Sequence, residues 1–290
     1  MRRGDGITAM AANDYVVNCA PLLRDADMEI DTWMEINGTR LYVRQVDSVQ
    51  DRPTVVFLHD SVGSVELWRD FPRRLGQAAK CSLMVYERQG FGKSDPLPSP
   101  RRACDYLERE ADVLGELLLR LKTSHPILFG HSDGASIALL AASKYPGTIK
   151  GVIAEAAHVF VEPITLEGIK KAVASYKHGD LKRRLQKYHG DRTETLFRAW
   201  TETWLSEAYR SWNIERFLPA ILCPVLLIQG EKDEYGTLKQ VESIAAQITG
   251  TAHEYIVPGV GHTPHKQAPA EILRAAAQFI NQLDGNLARS

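Results

Sequence analysis

Cysteine is scarce in this chain and carries no pattern. The four thiols, Cys19, Cys81, Cys104 and Cys223, are scattered, with no Cys-x-x-Cys pair and no histidine at ligand spacing. That speaks against a metal-binding layout and against a disulfide framework, and reduced, mostly buried thiols are expected. Net charge is also small, because 35 Lys and Arg stand against 36 Asp and Glu, a formal balance of -1. A nucleic-acid binder needs a basic excess or a basic stripe. The densest basic stretch here, Lys182-Arg183-Arg184, lies in a helical pattern and reads as a solvated helix face. No window approaches the ~20 apolar residues of a membrane span. Met1-Arg2-Arg3 is followed by mixed polar residues rather than the apolar run of a secretory signal. A cytoplasmic protein without membrane or nucleic-acid partners is expected. Internal repeats and low-complexity segments are absent too.

What remains is an ordinary globular composition, 44% hydrophobic and 24% charged over 290 residues, enough for a sizeable core. Residues 1–27 show no sustained period and read as an N-terminal extension, with Met10 and Met28 as further candidate starts. Two extended segments then flank Asn37-Gly38, a dipeptide that tolerates positive φ and suits a tight hairpin. Continuous apolar runs follow at Thr54–Leu58, Leu83–Tyr86, Ile127–Phe129, Val152–Ala154, Val225–Ile228 and Tyr255–Val257. Runs without alternation suit strands covered on both faces. Between them, Leu107, Ala111, Leu114, Leu118 and Leu121 recur at helical spacing. Strands alternating with helices predict an α/β fold with a mostly parallel sheet and helices on both faces. The alternation stops between residues 159 and 219, where Ile169, Val173 and Tyr176, then Leu196, Trp200 and Trp204, keep a helical period. That segment reads as an inserted helical cap, flanked by core segments 28–158 and 220–290.

Gly130-His131-Ser132-Asp133-Gly134 lies between an apolar run and a helical stretch. The motif alone is a weak signal, since roughly one chain in ten of this length carries it by chance. Between a strand and a helix, however, it makes the sharp turn that lifts a serine hydroxyl out of the sheet beside orphan backbone N–H groups. A serine hydroxyl needs an adjacent base, and the base needs a group to hold its tautomer. His262 follows a strand in the glycine-rich loop Pro258–His262 and is the preferred base. His265 competes but is expected to face outward or to cap the following helix. Asp233, just past the Val225 strand, is the preferred orienting acid, with Glu155 at the end of another strand as its rival. The loop after the first long strand, His59–Ser64, is expected to supply one oxyanion donor through the Ser61 N–H, and Asp133 the other. Arg88, in the loop Tyr86–Ser94, is read as tying loops together.

With these residues in hand, the chain resembles the α/β-hydrolase superfamily over roughly residues 28–285. It is most similar to the capped group of small-ester and lactone hydrolases and meta-cleavage C–C hydrolases. The similarity rests on the His59 loop, Glu87–Gly92, the elbow at Ser132, Asp233 and Gly261-His262. It implies an eight-stranded sheet whose second strand is antiparallel, a helical cap over the site and no cofactor or metal. Ser132 stands where dehalogenases and epoxide hydrolases have aspartate, which argues against both. Asp60 replaces the glycine many relatives carry after His59, and Asp133 replaces their Met, Leu or Gln.

The expected activity is hydrolysis of a small carboxylic ester, lactone or thioester through an acyl-enzyme on Ser132. C–C bond hydrolysis of a ring-cleavage product uses the same residues and is the alternative. From another class, a catalytically weak small-molecule-binding protein would use the same capped pocket. Phe160, Trp200 and Trp204 are the expected pocket aromatics, with Phe197 and Trp212 as further candidates. The expected partner is a small substrate with an apolar acyl or aromatic part, and a homodimer is compatible with the chain.

Overall fold

The computed structural model describes residues 29–46 and 52–285. The expected N-terminal extension, with Met10 and Cys19, and the adjoining Met28 lie outside them. Asn37 and Gly38 both take positive φ, 51° and 77°. That is the geometry a two-residue hairpin turn needs. It joins β1 (Glu29–Ile36) to β2 (Thr39–Val46), which pair antiparallel.

The apolar runs become β3 (Thr54–Leu58), β4 (Ser82–Tyr86), β5 (Ile127–His131), β6 (Gly151–Glu155), β7 (Val225–Gly230) and β8 (Ala252–Val257). The sheet has eight strands in the order β1-β2-β4-β3-β5-β6-β7-β8. β2 runs antiparallel to both neighbours, and every pairing from β4 to β8 is parallel. The helices in chain order are α1 (Phe71–Ala79), α2 (Tyr106–Arg120), α3 (Asp133–Lys144), α4 (Pro163–His178), α5 (Leu181–His189), α6 (Thr193–Trp204), α7 (Lys239–Gln247), α8 (Pro264–Gln267) and α9 (Pro269–Gly285).

Successive side chains of a strand point to opposite faces, and the two cores separate accordingly. Val56 and Leu58 join Leu107 and Leu114 of α2, the small residues of α3, and Val241 of α7. Val55 and Phe57 join Leu75 of α1 and Ile272 and Ile280 of α9. Covering on both faces is why the strand sequences do not alternate. α4, α5 and α6 follow one another between β6 and β7 with no strand between them. This helical insertion packs Ile169, Tyr176, Leu185, Phe197 and Trp204 onto the first core. Cys81 is buried and Cys223 half-buried, but Cys104 is exposed, a correction to the expectation of mostly buried thiols. Among the described residues no helix is long and apolar enough to cross a membrane.

Candidate active site

The loops that follow β3, β5, β7 and β8 leave the sheet at the carboxyl ends of its parallel strands, where open α/β sheets place ligands. Ser132 stands between β5 and α3 with φ 55° and ψ -120°, a conformation that costs a non-glycine residue about 1–3 kcal/mol. Its N–H donates to the Glu155 carbonyl at 2.9 Å and helps hold the turn. The turn also brings α3 hard against the sheet. A Cβ on Gly134 would stand 2.1 Å from the Leu58 carbonyl oxygen, so only glycine fits there.

Ser132 Oγ lies 3.0 Å from His262 Nε2, and His262 Nδ1 lies 2.9 and 2.8 Å from the two carboxylate oxygens of Asp233. A carboxylate only accepts, so Nδ1–H donates to Asp233, and Nε2 is left to accept from the serine hydroxyl. Asp233 is buried, and it also accepts from the Tyr235 N–H and from Gln229 Nε2, each at 2.8 Å. Burial alone would push its carboxyl up. The charge and hydrogen bond of His262, with the Tyr235 N–H, outweigh that and hold it below the ordinary 3.8. The Tyr235 ring packs 4.6 Å from the His262 ring.

Asp60 turns out to have a partner. Its Oδ1 accepts from the Val62 N–H at 2.8 Å, and its Oδ2 lies 3.3 Å from His131 Nδ1. His131 Nε2 lies 2.8 Å from the His262 carbonyl oxygen. Both ring nitrogens therefore face acceptors, which requires an imidazolium. Burial opposes that charge, but the Asp60 hydrogen bond and the nearby Glu155 raise the His131 pKa above 6.5. Asp60 is held well below 3.8, burial being outweighed by His131. The pair joins the β3 loop to the backbone of the His262 loop.

The raised His131 value means that its contribution to stability is complete below pH 6.5 and is lost as pH rises through the higher folded value. The lowered Asp60 value means that its contribution is present above 3.8 and is lost only as pH falls through the lower folded value. Asp60→Asn with His131→Asn is thus expected to be less stable than wild type by about 2 kcal/mol near pH 6. The gap should narrow by about pH 9. Urea unfolding at the two pH values checks this, and a gap unchanged with pH would contradict an ion pair.

Glu155 faces a different histidine from the one expected of a rival orienting acid. It is fully buried and accepts from the His265 N–H at 2.5 Å and from His265 Nδ1 at 2.7 Å. His265, expected at the surface, is only 4% exposed, because the first turn of α8 swings it inward under Trp68. Burial lowers the His265 pKa, and Glu155, despite its own burial, is kept low by His265. His131, Glu155 and His265 could geometrically receive a metal ion, with ligand atoms within 4.8 Å of one another. Their hydrogen bonds already engage Glu155 with His265 twice and both ring nitrogens of His131.

Ser61 and Asp133 are buried beside Ser132 in the wall of the same cavity, and neither N–H has an acceptor among the described residues. Arg88, also buried, donates to the Asp60 carbonyl at 2.7 Å and to the His59 carbonyl at 3.3 Å. It stands 3.8 Å from Asp133. It does tie the loops together, and it offsets the Asp133 charge. Asp133 Oδ2 also accepts from the Tyr106 hydroxyl at 2.8 Å, which in turn accepts from Trp204 Nε1 at 2.9 Å. The helical insertion is thereby hydrogen-bonded to the turn that carries Ser132.

The cavity has a volume of about 610 Å³. Trp200 and Trp204, one turn apart on α6, line it. Phe160 does not, and the expectation is corrected. Its backbone bridges to Asn213 and its ring packs onto the core. Phe197 and Trp212 are also elsewhere, stacked on Tyr176 and Tyr209. The sequence reading missed His131, Asp60, Gln229, Tyr235 and Tyr106 as supporting residues. The Asp60 departure after His59 was the one visible signal among them.

An eight-stranded, mostly parallel sheet with helices on both faces, a sharp strand-to-helix turn at Ser132 and a helical insertion after β6 defines the α/β-hydrolase class of enzymes. The chain belongs to the alpha/beta hydrolase family, whose family model matches residues 55–275. It is 26% identical over 286 residues to serine hydrolase BPHL of Homo sapiens, covering 94% of each chain. It is 23% identical to 2-(acetamidomethylene)succinate hydrolase of Mesorhizobium japonicum, covering 88% of this chain and 97% of that one. The fold is similar to that of the enol-lactonase from Burkholderia xenovorans. There the TM-score is 0.68 at 18% identity, over 86% of this chain and all of the other.

Proposed function

We propose that this enzyme is a serine hydrolase that cleaves a small carboxylic ester, lactone or thioester through an acyl-enzyme on Ser132. The observation that carries this reading is the continuous array from Ser132 Oγ to His262 Nε2 at 3.0 Å and from His262 Nδ1 to Asp233 at 2.8 Å, with Ser132 and His262 in the wall of one cavity and Asp233 buried behind them. His262 takes the hydroxyl proton as Ser132 Oγ attacks the carbonyl carbon. Asp233 keeps Nδ1 protonated and stabilises the imidazolium that forms. The oxyanion is met by the N–H groups of Ser61 and Asp133, with the N-terminal end of α3 adding its positive dipole. His262 then returns the proton to the leaving group. A water deprotonated by the same histidine releases the acid. No cofactor takes part, and α4 to α6 serve as the cap that shapes the acyl pocket. BPHL, similar over 94% of its length, is named a serine hydrolase, which supports the same reading.

Rapid mixing with 4-nitrophenyl butyrate tests it. A burst of nitrophenolate equal to the enzyme concentration is expected if acylation outpaces deacylation. If deacylation is the faster step, methanol added as a competing nucleophile should divide the product between acid and methyl ester. Hydrolysis with neither a burst nor partitioning would sink the acyl-enzyme reading. Turnover of vinylogous diketones but not of esters would move the assignment to C–C hydrolysis.

A further inference from the structure

The cavity that holds Ser132 and His262 is also lined by four basic side chains from three separate places in the chain. They are Arg69, just after the turn Val65–Trp68, Arg184 and Lys187 on α5, and Lys266 on α8. All four are exposed, so they lie where the cavity meets solvent. Among the described residues Arg69, Lys187 and Lys266 have no carboxylate within ion-pair distance. Arg184 has only Asp180 at 3.7 Å, one turn back along the chain.

Two of the three acids of the same wall face a cation. Asp60 holds His131 and the Val62 N–H, and Asp133 holds the Tyr106 hydroxyl and lies near Arg88. Glu234 accepts from the His262 N–H at 3.1 Å. Arg69, Arg184, Lys187 and Lys266 thus stand against one carboxylate without a cation partner, Glu234, so the charge balance facing the cavity is positive, although the whole chain carries a formal net charge of -1. A cleft lined by one sign of charge with apolar walls concentrates ligands of the other sign. Here the apolar wall is Ile169, Leu181, Leu185, Trp200 and Trp204.

We propose that the substrate of this site carries a carboxylate: its apolar body packs against the α4 to α6 side chains, and its anionic end meets Arg69, Arg184, Lys187 and Lys266. This rests on the serine-hydrolase reading for the bond that is cleaved, but the charge preference belongs to binding and can be measured without cleavage.

The probes are 4-nitrophenyl hydrogen glutarate and its methyl ester, which share one acyl chain and differ in charge. Binding of each to Ser132→Ala is measured by calorimetry in the full-length protein. The acid is expected to bind about tenfold more tightly than the methyl ester, with the preference shrinking as salt is added. Adding Arg184→Glu and Lys187→Glu, both on the exposed side of α5, should remove or invert that ratio. Equal binding of the two probes, or a preference that survives the double charge reversal, overturns the proposal. Turnover of both probes by wild type is followed separately. A retained anion preference without any turnover would overturn the hydrolase reading and leave the anion site standing.

Discussion

Ser132→Ala and His262→Ala are each expected to lower kcat by about 10⁴-fold to 10⁶-fold, with the double variant falling no further than the worse single. The reason is that in the proposed mechanism the two side chains perform one proton transfer. Oγ and Nε2 stand 3.0 Å apart, so the hydroxyl proton has a single acceptor, and neither group is a nucleophile or a useful base without the other. Residual activity should come from the N–H groups of Ser61 and Asp133 and from substrate binding, neither of which the substitutions touch. Steady-state kinetics on the two singles and the double checks this. Additive losses would mean that the residues act in separate steps. Both substitutions should leave the fold intact, because the strained turn at Ser132 is held by backbone contacts to Glu155 and Leu58.

The second large effect separates two acids that the sequence left as rivals. Asp233→Asn is expected to reduce kcat by about 10⁴-fold, because an amide can present its NH₂ to Nδ1 and favour the wrong tautomer. The loss should persist across the assay range: the lowered Asp233 value keeps the wild-type carboxylate ionised above 3.8, and its support is lost only as pH falls through the lower folded value. Glu155→Gln should do the reverse. Glu155 is fully buried and answers two donors of His265, so the amide leaves at least one poorly satisfied and costs about 2–4 kcal/mol of stability. Its kcat should stay within about tenfold of wild type, since Glu155 acts on a histidine that does not reach Ser132. Kinetics and urea unfolding on both variants give four values. A kcat collapse in Glu155→Gln with normal stability would transfer the orienting role to Glu155.

The parts of the fold visible in the sequence are those in which one local rule dominates. Strands buried on both faces must be apolar throughout, so Thr54–Leu58 and Val225–Ile228 announce themselves, and Asn37-Gly38 can hardly be anything but a tight turn. That Ser132, Asp233 and His262 come together could be read because each follows such a strand, and a parallel sheet brings all those ends to one edge. The partnerships around them were not. Glu155 and His265 are 110 residues apart, and which histidine meets which acid depends on how the first turn of α8 rotates. Phe160 failed as a pocket residue for a similar reason. Its position at the start of the insertion is visible, but the direction its ring takes is set by the bridge to Asn213. On α6 the period alone placed Trp200 and Trp204 on one face but could not show that this face lines the cavity.

Incubation with a fluorophosphonate probe, which phosphonylates only activated serines, followed by intact mass measurement of wild type and Ser132→Ala, tests the central claim most directly. One adduct on wild type and none on the variant is the expected result. An unlabelled wild type, or equal labelling of the variant, would contradict the assignment of Ser132 as the activated nucleophile.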